Sequence, residues 1–155
     1  NSKGEFNNPF GVNRSSYNQQ IENNLRSLHE KIHTMTFSAN NFRQMNLQQL
    51  QAGDFVYADP PYRISCGSYN DGKRGFEGWG EQDDLALFDI LDELNDRNIH
   101  FALSNVIEHK GQQNALLNEW RQRYYTHFLN ANYSNSNYQC KDKETRTVEV
   151  LITNY

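Results

Sequence analysis

Ile21, Leu25, Leu28 and Ile32 recur at steps of four, three and four, with polar residues between them. That spacing predicts an amphipathic helix from Gln19 to Thr34 with one buried stripe, and Asn18 is placed to cap it. The stretch from Thr34 to Phe42 reads as extended. Leu47 and Leu50 then predict a brief helix that Gly53 ends. Asp54-Phe-Val-Tyr-Ala58 is a compact apolar run that stops at Asp59-Pro-Pro-Tyr62, because two prolines cannot continue a central strand. A glycine-rich loop, with Gly67, Gly72, Gly75, Gly78 and Gly80, separates Arg63 from the next helix, Glu81 to Arg97. The buried stripe of that helix is expected at Leu85, Phe88, Leu91 and Leu94. Ile99 to Leu103 is a buried-type strand ending at Ser104-Asn105, Gln112 to Tyr124 a third helix, and Tyr125 to Asn132 a strand. A polar loop from Ser134 to Glu144 leads to a last strand, Thr147 to Tyr155.

Strands alternating with helices, then two strands joined by a loop, predict an α/β sheet. Its first crossover links parallel neighbours, and its final pair forms an antiparallel β-hairpin. Ligands of such sheets sit at the carboxyl ends of the strands. Asp59-Pro-Pro-Tyr62 and Ser104-Asn105 are both expected there, facing one cleft.

Composition narrows the picture only slightly. The 155 residues suit one compact domain, and 36% hydrophobic with 13% aromatic residues supply a core. No apolar run approaches a membrane span, and the start does not read as a signal peptide. Cys66 and Cys140 are expected as free thiols, and the five histidines show no metal spacing; His29 and His33 read as a surface pair. A net charge of -4 argues against a simple nucleic-acid coat. Arg63, Lys73 and Arg74 in one loop and Lys141, Lys143 and Arg146 in another keep a nucleic-acid partner open. The six acids from Asp83 to Asp96 are expected on a solvated helix face, and those in the first turn sit favourably at the positive end of the helix dipole.

Asp59-Pro-Pro-Tyr62 carries the chemistry. Its prolines lock the backbone so that a carbonyl is aimed rigidly, Asp59 adds a second acceptor, and Tyr62 adds a flat stacking surface. Two acceptors and a platform suit a planar heterocycle with an exocyclic amino group. Drawing the amino hydrogens out of the ring plane localises the nitrogen lone pair and readies it for attack, by positioning and electrostatics.

The tetrapeptide, following Phe55-Val-Tyr-Ala58, resembles the signature of the Dam-type (D12 class) adenine-specific DNA methyltransferases. Three further stretches resemble that family. Asn1-Ser-Lys-Gly-Glu-Phe-Asn-Asn-Pro-Phe-Gly11 is similar to the NxxGxFNxPFG segment that leads into its DNA-contacting hairpin. Ile99 to Asn105 is similar to its strand ending in Ser-Asn, and Tyr133 to Tyr138 with Glu149 to Tyr155 to its closing hairpin. The resemblance implies a Rossmann-like methyltransferase sheet, its C-terminal part, preceded by part of a helical and hairpin DNA-recognition region. Residues 1–33 would belong to that recognition region and 34–155 to the catalytic domain. It also implies transfer of a methyl group from S-adenosyl-L-methionine to the amino group of a flipped adenine in double-stranded DNA, in a restriction-modification or Dam-like setting. Asp59, Pro60, Pro61 and Tyr62 would be catalytic, with Asp59 and the Pro60 carbonyl holding the amino group and Tyr62 stacking on the base. Asp59 and Phe42 would contact the donor. Lys3 and Arg14 would reach phosphates or guanine, and Asn7 would touch DNA or brace its turn. No metal is implied, and the location would be cytoplasmic, at the nucleoid.

The family also carries a Lys-bearing opening segment and a Phe-x-Gly-x-Gly loop that grips the donor, and neither has a counterpart here. The chain is therefore expected to be a C-terminal portion, partnered by a missing N-terminal part and inefficient alone. Two alternatives remain open: a catalytically inactive DNA- or partner-binding remnant, and a methyltransferase for RNA or protein glutamine. The opening segment favours the DNA class over the latter.

Overall fold

The computed structural model describes residues 17–65, 78–129 and 147–155, and the chain divides into two units, Asn1–Asn41 and Phe42–Tyr155. In the first, α1 spans Gln19–Ile32. The Asn18 side chain accepts the Ile21 amide at 2.9 Å, capping one of the amides a helix start leaves unpaired. Glu22 and Arg26 pair across one turn at 2.7 Å, and the His29 and His33 rings meet edge to face. The expected buried stripe is not buried: Ile21 is 38%, Leu25 54% and Leu28 50% exposed. Amphipathic spacing gathers apolar side chains on one face, but burial needs a second surface. Among the described residues of this unit none supplies it.

The second unit is a mixed α/β layer structure. Its strands are β1 (Phe55–Ala58), β2 (His100–His109), β3 (Gln112–Gln113), β4 (Tyr125–Leu129) and β5 (Thr147–Thr153), and its helices are α2 (Glu81–Asp96) and α3 (Ala115–Trp120). The main strand order is β1-β2-β5-β4, with β3 a short addition to β2. β1 lies parallel to β2, Phe55 opposite His100 and Ala58 opposite Leu103, as a strand–helix–strand crossover requires. The remaining pairings are antiparallel, including the β4–β5 pair anticipated as a hairpin. The sheet is thus mostly antiparallel.

Side chains alternate across β1: Val56 and Ala58 turn to the helices, while Phe55 and Tyr57 are exposed. The core lies between the sheet and α2–α3. Leu87, Phe88, Leu91 and Leu94 of α2 meet Phe101, Leu103, Ile107, Val150 and Ile152 of the sheet, and Leu117 and Trp120 close it. Leu87 takes the buried place expected for Leu85, which is only half-buried. At the far end Asn154 fastens β5 to β2, accepting the Phe101 amide at 2.8 Å and donating to the Ile99 carbonyl at 3.0 Å.

Two boundaries differ from expectation. β2 does not stop at Leu103 but runs to His109, because β5 pairs with it from Ala102 onward after β1 has ended at its prolines. The third helix is shorter, Ala115–Trp120, followed by a 3-10 turn Arg121–Arg123. The residues before it form a tight hairpin, in which Lys110 (φ 51°) and Gly111 (φ 78°) turn the chain so that His109 faces Gln112. β4 is described as far as Leu129; its expected end at Asn132, like the 134–144 loop and Tyr133 and Tyr138, falls on residues 130–146, outside the described residues.

The acidic run is also not simply solvated. Asp83 reaches back to the Gly80 amide at 2.7 Å and pairs with Arg43 at 2.8 Å. Desolvation pushes its carboxyl up, but the Gly80 amide and Arg43 outweigh that and leave it below the ordinary value. Asp92 accepts both the Trp120 indole N–H and the Tyr124 hydroxyl. Asp84 is wholly buried.

Candidate active site

β1 delivers Asp59 at its carboxyl end, where Pro60 and Pro61 lack the amide donors a strand would need. The chain then turns, the Ser65 amide donating to the Tyr62 carbonyl at 2.9 Å. Asp59 is exposed, and Pro60, Pro61 and Tyr62 are half-buried. The Tyr62 hydroxyl donates to Asp59 Oδ1 at 2.9 Å and lies 3.0 Å from Ser104 Oγ on the adjoining strand. Tyr62 and Ser104 therefore do meet, although Ser104 sits mid-strand rather than at a strand end. Burial pushes the Tyr62 phenol up to about 12; the Ser104 hydrogen bond opposes this and the Asp59 carboxylate adds to it. The phenol is a neutral donor at physiological pH.

Asn105 does not share that cleft. Strand alternation turns it to the face opposite Ser104, where it is buried and its Oδ1 accepts the Val106 amide at 2.7 Å. Phe42 opens a 3-10 turn, Phe42–Gln44, and is half-buried against the core. Its ring lies 5.2 Å from that of Trp79, and the Arg43 guanidinium sits 4.6 Å from its centroid. Lys3, Asn7 and Arg14 lie outside the described residues.

Four residues with no expected part in the site join these pieces. Arg63, directly after Tyr62, donates from Nε to Asp84 Oδ2 at 2.7 Å and from Nη2 to Asn114 Oδ1 at 2.9 Å. The Trp79 indole N–H donates to Asp84 Oδ1 at 2.8 Å. Asn114 also caps α3 through the Leu117 amide. One signal in the sequence pointed here: Asp84 lies three and four residues before Leu87 and Phe88, on the buried stripe of α2. A carboxylate in that position needs partners.

An exposed carboxylate, a proline-stiffened backbone and a half-buried phenol ring form a polar notch at a strand end. It can accept hydrogen bonds from a planar amine and offer it a ring. The model of the D12 class N6 adenine-specific DNA methyltransferases matches residues 1–140. The chain belongs to that family. Among the relatives it matches are the modification methylase StsI of Streptococcus sanguinis and the type II methyltransferase M.FokI of Planomicrobium okeanokoites. Each is 46% identical over 159 aligned residues, which cover 100% of this chain. The modification methylase LlaI of Lactococcus lactis subsp. lactis is 33% identical, again across the whole chain. This D12-class chain spans 24% of the length of each of the three. Among its described residues no helix is long and apolar enough to cross a membrane.

Proposed function

We propose that this chain belongs to a site-specific DNA methyltransferase of a restriction-modification system. It would transfer a methyl group from S-adenosyl-L-methionine to the exocyclic amino group of an adenine flipped out of duplex DNA. The observation that carries the reading is the Asp59–Tyr62 notch at the end of β1. Asp59 and the Pro60 carbonyl accept the two amino hydrogens, which localises the nitrogen lone pair, and Tyr62 stacks on the purine. Pro61 keeps the carbonyl rigid. Ser104 retains the Tyr62 hydroxyl when the base takes over Asp59.

The residues present fit the donor in two respects. Among the described residues Asp59 Oδ2 accepts no hydrogen bond, and Phe42 offers a ring fixed by Trp79 and Arg43. When bound, the donor supplies an electrophilic methyl group. The parallel β1–α2–β2 unit is then the C-terminal part of a Rossmann-like sheet within a catalytic portion, residues 34–155. Residues 1–33 are part of the DNA-recognition region, with Lys3, Asn7 and Arg14 approaching the duplex. Phe55 and Tyr57 stand exposed on the sheet face away from α2, which supports a catalytic unit completed by other parts of the protein.

The test is Asp59→Ala in the full-length protein, assayed with labelled donor and duplex DNA. Methyl transfer to adenine should be abolished while the protein stays folded, since Asp59 is exposed and makes no core contact. Undiminished transfer would overturn the reading.

A further inference from the structure

A single buried carboxylate lies between the two halves of the proposed site. Asp84 is 0% exposed and each of its oxygens has a different charged or polar donor. Oδ2 takes Arg63 Nε at 2.7 Å, and Arg63 is the next residue after Tyr62. Oδ1 takes Trp79 Nε1 at 2.8 Å, and the Trp79 ring packs on Phe42. Arg63 is further fixed by Asn114, itself fully buried at the start of α3. The base-side tetrapeptide and the donor-side aromatic pair are thus referenced to one point on α2.

We propose that Arg63 and Asp84 are positioning residues for methyl transfer, holding Tyr62 and Phe42 in one frame; this rests on the reading of Asp59–Tyr62 as the methyl-transfer site. Neither residue touches the reacting atoms. Their effect is geometric: the backbone joins Arg63 to Tyr62, so any shift of the guanidinium is passed to the stacking ring. A misplacement of about 1 Å can lower a rate on the order of a hundredfold. Arginine is required rather than lysine, because the planar guanidinium meets Asp84 through Nε and Asn114 through Nη2 at once, and a single ammonium cannot span both in that geometry. Asparagine cannot replace Asp84 either. Its amide NH2 would have to face one of two N–H donors, Arg63 Nε or Trp79 Nε1.

The test uses the full-length protein and the variants Arg63→Lys, Arg63→Ala, Trp79→Phe and Asp59→Ala, each assayed below its melting temperature. Single-turnover methyl transfer, duplex affinity and donor affinity are measured. Arg63→Lys should lose about tenfold to a hundredfold in single-turnover rate with duplex affinity unchanged. Added guanidinium should restore part of the rate of Arg63→Ala and none of that of Asp59→Ala, an effect general destabilisation would not produce. Should Arg63→Ala fail to fold, Trp79→Phe, which keeps the ion pair and loses one hydrogen bond, should still weaken donor affinity. Wild-type rates in folded Arg63→Lys and wild-type donor affinity in Trp79→Phe would overturn the proposal while an inactive Asp59→Ala left the site reading intact. An active Asp59→Ala would instead overturn the site reading itself.

Discussion

Tyr62 donates its hydroxyl to Asp59, 2.9 Å away, so the carboxylate proposed to bind the base already has a hydrogen-bond partner three residues along the chain. Ser104 Oγ lies 3.0 Å from the same hydroxyl and, on the proposed reading, would hold it when a substrate amine takes over Asp59. The ring and the hydroxyl therefore have separable tasks. Tyr62→Phe keeps the stacking surface and removes only the competing donor, so turnover should stay close to wild type. Tyr62→Ala removes the platform. Stacking of a base on an aromatic ring is worth about 1–3 kcal/mol, so kcat/KM should fall about tenfold to a hundredfold. Steady-state kinetics of the two variants in the full-length protein check the split, and equal losses would contradict it.

The raised Tyr62 phenol gives a pH prediction with a definite sign. An acid whose folded value lies above its ordinary value of 10 keeps its proton longer in the native state than in the unfolded chain. Its contribution to stability is therefore complete below pH 10 and is lost as pH rises from 10 through about 12. Tyr124 is shifted in the same direction, by burial and then by its bond to Asp92, and adds to the loss. Stability measured by denaturation should fall across this alkaline window, less steeply in Tyr62→Phe. A phenolate absorbance titration should show that Tyr62→Phe removes a late-ionising phenol, and removal of an ordinary one would refute the assignment.

Much of this was legible locally and some of it was not. The stop of β1 and the Asp-Pro-Pro-Tyr notch follow from proline chemistry, which needs no distant partner. Asn18 as a cap follows from the side chain and the apolar spacing that succeeds it. The length of β2 was not legible, because it depends on β5, a partner far along the chain that pairs Ser104 with Leu151. The shortened α3 reflects the Lys110–Gly111 turn, whose positive φ angles divert residues that have helical spacing. Asp84 was read with its acidic neighbours as solvated, since charge counted along a sequence does not register which helix face it falls on. The exposed stripe of α1 marks the opposite limit: periodicity identifies a face and not what covers it.

Arg97 should be a stability residue with no catalytic readout. From the C-terminal end of α2 its Nη2 donates to the Leu50 carbonyl at 2.8 Å and the Leu47 carbonyl at 3.1 Å. Those carbonyls belong to the turn whose Leu47 and Leu50 pack against the core. Hydrogen bonds to a charged group contribute about 1.5–3 kcal/mol, so Arg97→Ala should lower unfolding free energy by about that amount in urea denaturation. Arg97→Lys should recover only part, because an ammonium lacks the spread of the guanidinium fork. Full recovery by lysine would show that charge alone was at work.

Trp120 is the side chain whose truncation should cost the most. Its ring stacks on Phe88 at 4.5 Å with planes 12° apart, and lies 4.8 Å from Tyr124 and 6.0 Å from Phe101. Its indole N–H donates to Asp92 Oδ1 at 2.9 Å, an oxygen that also accepts the Tyr124 hydroxyl at 2.6 Å. Arg123 holds Asp92 Oδ2 at 2.9 Å, so Asp92 keeps two partners if the indole is removed. Two effects can then be told apart. Trp120→Ala opens a cavity between α2, α3 and the sheet, and such large-to-small changes cost about 3–5 kcal/mol. Trp120→Phe keeps much of the stack on Phe88 and loses chiefly one hydrogen bond to a charged group, about 1–3 kcal/mol. Denaturation of the two variants should rank them in that order. If the phenylalanine variant were as unstable as the alanine one, the hydrogen bond to Asp92 would outweigh the ring's packing, and the core at this point would depend on its polar edge.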